Sequence, residues 1–320
     1  MKVLFLGGTR FTGLKLAEYM AYSGHDVVVA SRRVLDSDAP MTSILGERSK
    51  LLEKLHGKNF DVVFDFIAYN GADVLAANEC INIRKYILIS TTWLPRFFGF
   101  KHAATEIPEN GSIFTEDLPK ITQKYLTGKA LAESAVHKIR KFGRKATIVR
   151  FPVMTGSGDH TKRLHFYRSR FLDGNGIIVV DDYNHDVQIA TNLDLARALQ
   201  IWIERHDVMK APIWDALPPE HISWKKFLML LAEPTNIAQS LFVSSRDVIY
   251  ANLPEYLEVE PLWREKKIPL SDFNIFLHTE VKVTPYRNWI AKLEPIDGSA
   301  CDKKLRKQEL ELISRFKYKR

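Results

Sequence analysis

The chain has 320 residues, 46% of them hydrophobic and 26% charged, a balance that suits a folded globular protein with room for two lobes. No apolar run approaches the roughly 20 residues that span a bilayer, and the run Val3 to Leu6 stops at Gly7-Gly8, too short for a signal-peptide core. Cys80 and Cys301 stand far apart with no metal-like spacing, so a reducing cytoplasm is the expected location. The net charge of +8 admits nucleic acid, a membrane surface or a phosphorylated small ligand as partner. Much of the excess lies in "CDKKLRKQELELISRFKYKR". Glu309 and Glu311 interspersed with Leu310, Leu312 and Ile313 predict an amphipathic terminal helix there, with a solvated basic face.

The elements follow in alternation. Lys2 to Leu6 reads as a buried parallel strand, and Leu14, Ala17 and Ala21 recur at helical spacing up to Gly24, a helix-ending glycine. "HDVVVAS" is a second strand. Strand, glycine turn, helix and strand within about thirty residues is the setting in which a glycine fingerprint carries meaning. In "GGTRFTG", Gly7 permits the tight turn and Gly13 lets the helix lie close, so that helix amides can face a pyrophosphate. Arg10 takes the middle position, where backbone usually approaches. The second strand ends in Ser31, Arg32 and Arg33 rather than in the acid that binds the ribose hydroxyls of NAD. Two guanidinium groups suit a 2′-phosphate, which points to NADP, with NAD as the alternative. "MTSIL" is the third strand, "SKLLEKLHG" a helix, "FDVVFDFIA" the fourth strand, "GADVLAANEC" a helix and "KYILIS" the fifth strand. "YLTGKALAESAVHKIRKFG" makes a long helix before the sixth strand, "KATIVRF". The fold expected is α/β, a Rossmann doubly wound parallel sheet with a smaller C-terminal α/β substrate lobe.

Two features fall at the strand ends where such a sheet binds ligands. One is Ser90-Thr91-Thr92 at the end of the fifth strand. The other is Tyr125 with Lys129, on one face of a helix that Tyr125 opens. A tyrosine is a poor base near neutrality unless its pKa falls, and an adjacent ammonium favours the phenolate. With "GGTRFTG", "FDVVFDFIA", "YILISTT", "YLTGK", "VRFPVMTGSGDHTKR" and "NLDLARAL" in this order, the chain resembles the extended short-chain dehydrogenase/reductase family of nucleotide-sugar epimerases and dehydratases. "PEHISWKKFLMLLAE" and "TPYRNWI" resemble its C-terminal segments more loosely.

The resemblance implies catalysis by Thr91, Tyr125 and Lys129, with Ser90 and Thr92 as the other candidates for the hydroxyl. It implies cofactor contacts from Gly7, Thr9, Arg10, Phe11, Thr12, Gly13, Ser31, Arg32, Arg33, Glu47, Ile67, Ala68, Pro152 and Val153 as well as Tyr125 and Lys129. Thr92, Trp93, Lys162 and Arg163 would touch a nucleotide-diphosphate sugar. The family also implies a homodimer in which the Tyr125 helix takes part.

Departures narrow the reaction. Thr92-Trp93 stands where the family's dehydratases carry an acidic pair, and no cysteine neighbours the catalytic hydroxyl as in its double-epimerising reductases. His185 and Asp186 stand near the usual diphosphate-binding arginine, which leaves Lys162 or Arg163 as substitutes. The expected activity is an NADP-dependent hydride transfer at a carbinol carbon, as a 4-ketoreductase or 4-epimerase. The alternatives are a dehydratase using Glu106, Glu109 or Glu116, and an RNA-binding protein on the same fold. The aromatic and basic "RFFGFKH" is the one patch that would favour RNA, and a Tyr125/Lys129 pair is unnecessary for binding alone. Residues 1–155, with 187–212 returning, would form the cofactor domain. Residues 156–186 and 213–320 would form the substrate lobe, with Pro212, Pro218 and Pro219 marking a crossing point.

Overall fold

The computed structural model describes residues 1–97, 120–161, 163–173, 175, 177–180, 186–233, 240–243, 270–293 and 303–317. The chain begins β1 (Lys2–Leu6), α1 (Phe11–Tyr22), β2 (Asp26–Ser31), β3 (Met41–Leu45), α2 (Arg48–Leu55), β4 (Asn59–Asp65), α3 (Gly71–Cys80) and β5 (Asn82–Thr91). It continues through α4 (Trp93–Phe97), α5 (Lys120–Lys141), β6 (Ala146–Phe151), β7 (Val153–Thr155), α6 (Arg163–Phe171), β8 (Ile177–Val180), β9 (Asp186–Val187) and β10 (Ile189–Thr191). Then come α7 (Asn192–Arg205), β11 (Ile213–Asp215), β12 (Ile222–Ser223), α8 (Trp224–Ala232) and β13 (Ser240–Val243), with further helices over Ile275–Thr279, Tyr286–Ile290 and Lys303–Lys317. Two compact units divide these. The first comprises Met1–Met154, Ala190–Pro219 and Ile268–Val283; the second comprises Thr155–Ile189, Glu220–Lys267 and Thr284–Arg320.

The first unit is a seven-stranded sheet in the order β11-β6-β5-β4-β1-β2-β3, with every pairing parallel. Chain direction across the sheet reverses between β1 and β4, which opens a crevice at their C-terminal ends, the usual ligand position in such folds. Period-two alternation sends each strand's residues to two cores. Val3, Phe5, Phe64, Ile87, Ile89 and Phe151 pack with α1 and α7, while Leu4, Leu6, Val63, Leu88 and Ile148 pack with α2, α3 and α5. The α5 helix starts at Lys120, so Tyr125 sits in its second turn and does not open it.

A seventh strand escapes the sequence pattern. Three residues, Ile213 to Asp215, are too few to show a period, yet Ile213 pairs with Ile148 and Asp215 with Arg150. Asp215 N–H donates to the Phe273 carbonyl at 3.0 Å, and Asn274 Nδ2 donates to the Leu217 carbonyl at 3.0 Å. Segments 213–219 and 268–283 therefore belong to the first unit, not to a lobe running from 213 to the terminus.

In the second unit β12 pairs antiparallel with β9, and β13 parallel with β8. The helix Lys303–Lys317 does expose Lys303, Lys304 and Lys307. Arg306 and Glu309, however, turn inward. Arg306 Nε donates to Asp173 Oδ2 at 2.8 Å, and Glu309 Oε1 accepts from the Ile178 N–H at 2.7 Å with Arg170 Nη1 3.3 Å away. Part of the basic C-terminal stretch is thus a buried anchor, since a charge removed from water has to be paired.

Candidate active site at the strand ends

The glycine turn after β1 has the close packing its spacing predicts. Gly7 and Gly8 hold φ of 80° and 75°, a left-handed backbone that L side chains rarely adopt. A Cβ on Gly13 would lie 2.5 Å from the Gly8 Cα, so only glycine lets α1 rest on the turn. Arg10 is the exposed residue before α1, in extended conformation with no side-chain capping bond, and Phe11 begins the helix at φ 53°. The first turn therefore presents amides that no capping side chain satisfies, beside the turn residues Thr9 and Arg10. Thr12 is an exception among the expected contacts: it is buried, and its hydroxyl faces Met154 Sδ at 3.1 Å.

At the ends of β2 and β3, Ser31 is buried and its hydroxyl is engaged in its own loop, donating to the Arg33 carbonyl at 2.7 Å. It also accepts from the Arg33 N–H at 3.1 Å. It shapes the turn that carries Arg32 and Arg33 and does not face outward as a ligand hydroxyl. Arg32 Nε lies 3.7 Å from Glu47 Oε2, with both side chains about two-thirds exposed at 68% and 70%. Arg33 is exposed on the same loop.

The end of β4 holds a group that the sequence reading did not single out. Asp65 is fully buried and takes a bidentate pair from Arg48, Nη1 to Oδ1 at 3.0 Å and Nη2 to Oδ2 at 2.7 Å. Tyr86 Oη donates to Asp65 Oδ2 at 2.9 Å, and the Ile67 N–H to Oδ1 at 3.1 Å. Burial and the Asp65 charge push the Tyr86 phenol well above its ordinary range, so it stays a donor. Arg48 also donates to the Asp73 carbonyl at 2.7 Å. The network ties the starts of α2 and α3 to the loop carrying Ile67 and Ala68. Its signal in the sequence is an acid closing an otherwise apolar strand.

At the end of β5 the hydroxyls separate by face. Ser90 points toward α5 and donates to Glu133 Oε1 at 2.6 Å in a buried contact. Thr91, on the other parity, is half-buried and accepts from the Trp93 N–H at 3.2 Å. Thr92 is buried, its N–H donating to the Phe151 carbonyl at 2.9 Å. Lys129 is 3% exposed, and its Nζ donates to the Ile89 carbonyl at 2.8 Å and the Ala68 carbonyl at 3.0 Å. Burial lowers its pKa to about 8, against the pull of Asp65 and Glu133. Tyr125, one turn earlier, is 39% exposed with its ring centroid 6.5 Å from that of Tyr69. Lys129 Nζ stands 4.9 Å over the same Tyr69 ring. Pro152 and Val153 are buried just beyond β6. The fold thus gathers Thr91, Tyr125 and Lys129 with Ile67 and Ala68 at neighbouring strand ends.

Gly128, between the two, was not singled out either. Its Cβ position lies 2.1 Å from the Tyr69 carbonyl oxygen, so α5 runs against the loop after β4 through a gap only glycine fits.

Other expected residues belong to the second unit or fall outside the described residues. Arg163 starts α6 in the second unit, with Nη1 3.3 Å from Thr161 Oγ1. Asp186 pairs with His221 at 3.2 Å. Lys162, His185, Cys301, most of the aromatic and basic patch after Trp93, and Glu106, Glu109 and Glu116 lie outside the described residues. No described helix is long and apolar enough to cross a membrane.

Known proteins resemble this chain mainly in fold. MoeE5, solved with UDP-glucuronic acid and NAD, superposes at a TM-score of 0.64 with 18% identity, over 91% of this chain and 97% of its own. TunA, an NAD dependent NDP-hexosamine 5,6-dehydratase of tunicamycin biosynthesis, gives 0.63 at 14% identity over 91% and 95%. The UDP-glucuronic acid 4-epimerase of Bacillus cereus, solved with UDP-glucuronic acid and NAD, gives 0.57 at 16% identity over 99% and 100%. No curated protein matches by sequence. The model of the NAD dependent epimerase/dehydratase family matches residues 3–214, two-thirds of the chain and nearly all of its parallel sheet, and the protein belongs to that family.

Proposed function

We propose that the protein is an NADP-dependent oxidoreductase or epimerase that acts on a nucleotide-linked sugar by hydride transfer at one carbinol carbon. One observation carries this reading: Lys129 is buried with its Nζ on the carbonyls of Ala68 and Ile89, one helical turn from Tyr125 and next to the strand end that bears Thr91. The glycine turn and the uncapped start of α1 fit a pyrophosphate, because a Cβ at Gly13 would close the approach and the amides face no capping side chain. Arg32 and Arg33 at the end of β2 suit a 2′-phosphate, although MoeE5 and the Bacillus cereus 4-epimerase were solved with NAD. Glu47 keeps one carboxylate beside Arg32, a group of the kind that binds ribose hydroxyls, so NAD is the alternative cofactor.

The chain's own residues handle the proton. A bound nicotinamide supplies the hydride donor or acceptor. Tyr125 Oη gives a proton to, or takes it from, the reacting sugar oxygen, and the Thr91 hydroxyl hydrogen-bonds that same oxygen. Ser90 is unsuited to this part because its hydroxyl is held by Glu133. With a pKa of about 8, Lys129 is mostly ammonium at pH 7, by about ten to one, and its charge favours the phenolate. Thr92 and Trp93 bring no acid or base for eliminating water, so net reduction or epimerisation is preferred to dehydration. A homodimer through α5 belongs to this reading, supported by Ile121 and Leu131 exposed on that helix.

The test is a panel of nucleotide sugars and 4-keto nucleotide sugars, incubated with NADP(H) or NAD(H) in deuterated water. Cofactor absorbance and product mass are followed together. Expected is reduction of a 4-keto sugar, or epimerisation, without loss of the mass of water. A product lighter by water and carrying solvent deuterium on carbon would establish dehydration instead.

A further inference from the structure

Three consecutive residues of β5 lead into the proposed centre, and α5 grips two of them. Lys129 takes the Ile89 carbonyl, and Glu133, one turn later on the same buried face, takes the Ser90 hydroxyl. The next residue is Thr91. Glu133 also takes Arg150 of β6 in a bidentate pair, Nε to Oε1 at 3.0 Å and Nη2 to Oε2 at 2.6 Å. Ser90 and Arg150 are direct partners across the β5–β6 ladder. One carboxylate therefore closes a triangle over helix and both strands, fully buried.

A buried ion pair is not the cheapest way to pack a helix on a sheet, because apolar residues of similar volume are often as stable or more so. What such a pair adds is direction and charge. We propose that Glu133 is a positioning residue of this site: holding Ser90 and Arg150, it sets α5 in register over β5 and β6 and provides the counter-charge that keeps Lys129 an ammonium there. The proposal deepens the reading of Tyr125 and Lys129 as the reacting pair and rests on it for its catalytic meaning.

The groups around Lys129 are few. Asp65 from β4 and Glu133 from its own helix favour the ammonium, Asp73 from α3 adds a smaller pull, and Arg48 from α2 opposes them. The neutral ring of Tyr69 covers Nζ. Asp65 is already clasped by Arg48, whose cation weakens its effect. Glu133 is clasped in the same way by Arg150, but Asp65 also holds Tyr86 and the Ile67 N–H, so Glu133 is the carboxylate that can be removed, together with its one cation, with least disturbance around Lys129.

The experiment titrates full-length protein labelled with 13C at lysine Cε, with the Lys129 signal assigned by its loss in Lys129→Met. No substrate or cofactor is needed. The wild type should show one lysine titrating near pH 8. Glu133→Gln should lower that midpoint by about half a unit or more, less than the roughly 1–3 units of an unshared opposite charge because Arg150 shares the carboxylate. Since Glu133→Gln leaves Arg150 buried without its partner, Glu133→Gln/Arg150→Met is made alongside it, with near-ultraviolet circular dichroism reporting the fold. The double variant should fold and show a smaller shift in the same direction, because a nearby cation is removed with the carboxylate. A folded variant that keeps the wild-type midpoint overturns the proposal, as does a wild type in which no lysine titrates apart from the rest. Failure of the wild type to bind NADP(H) or NAD(H) would instead strike the proposed function and leave this titration intact.

Discussion

Gly128→Ala tests how closely the helix bearing Tyr125 and Lys129 must approach the loop after β4. In an ordinary helix interior, replacing glycine by alanine stabilises by about 1 kcal/mol, because the unfolded chain loses freedom and the helix gains propensity. Gly128 lies well inside the helix Lys120–Lys141, so sequence reasoning alone predicts stabilisation. The structure predicts the opposite sign. The new Cβ would sit 2.1 Å from the Tyr69 carbonyl oxygen, where contacts under 3.0 Å essentially never occur, so helix and loop must part by about 1 Å. That oxygen is backbone, held close to the Tyr69 N–H that donates to Asp73 Oδ2 at 2.8 Å, and it cannot rotate away. Overpacking of this kind costs about 1–3 kcal/mol, enough to cancel the helix gain and leave a net loss of up to about 2 kcal/mol. A misplacement of about 1 Å at reacting groups can cost about a hundredfold in rate. Urea unfolding of wild type and variant, with the Lys129 midpoint recorded in each, reads both effects. A variant at least as stable as wild type, with an unchanged Lys129 titration, would refute the argument.

Tyr125→Phe should lower turnover about a hundredfold or more, the scale of lost general acid–base help, with cofactor affinity nearly unchanged by fluorescence titration. Arg32→Asp with Arg33→Ala should abolish or reverse a preference for NADP(H), and a wild type that binds NAD(H) more tightly would remove the basis for assigning the 2′-phosphate to this loop. Asp65→Asn leaves Arg48 buried without its carboxylate and should cost about 3–5 kcal/mol in urea unfolding. Asp65→Asn/Arg48→Met should recover much of that loss. Lys129 has a folded pKa below its unfolded value, about 8 against 10.5. Between those values the unfolded state binds more protons, so the lysine's penalty is full below about pH 8 and fades toward pH 10.5. The stability of wild type relative to Lys129→Met should therefore rise by roughly 2–3 kcal/mol from pH 7 to pH 10. A flat difference would place Lys129 in a wetter setting than its burial indicates.

The sequence by itself determined the alternation of strands and helices through β6, because period-two and helical spacing are local and each segment is long enough to show them. It also determined the glycine turn and the pairing of Tyr125 with Lys129, since helical spacing puts residues i and i+4 on one face. Local spacing alone does not choose between Ser90 and Thr91, because a single-residue shift in strand parity reverses which side chain faces α5, and the preference for Thr91 rests on the family resemblance. Tertiary structure shows the Ser90 hydroxyl held by Glu133. It also decided what no local pattern contains: β11, visible only through its pairing with β6; Asp65 with Arg48, brought from different elements; and the tolerance at Gly128, set by a carbonyl 59 positions earlier in the chain. Periodicity reports which face of an element is buried. Which polar groups meet in that burial depends on contacts between distant residues, and the charges at this site are held by such contacts.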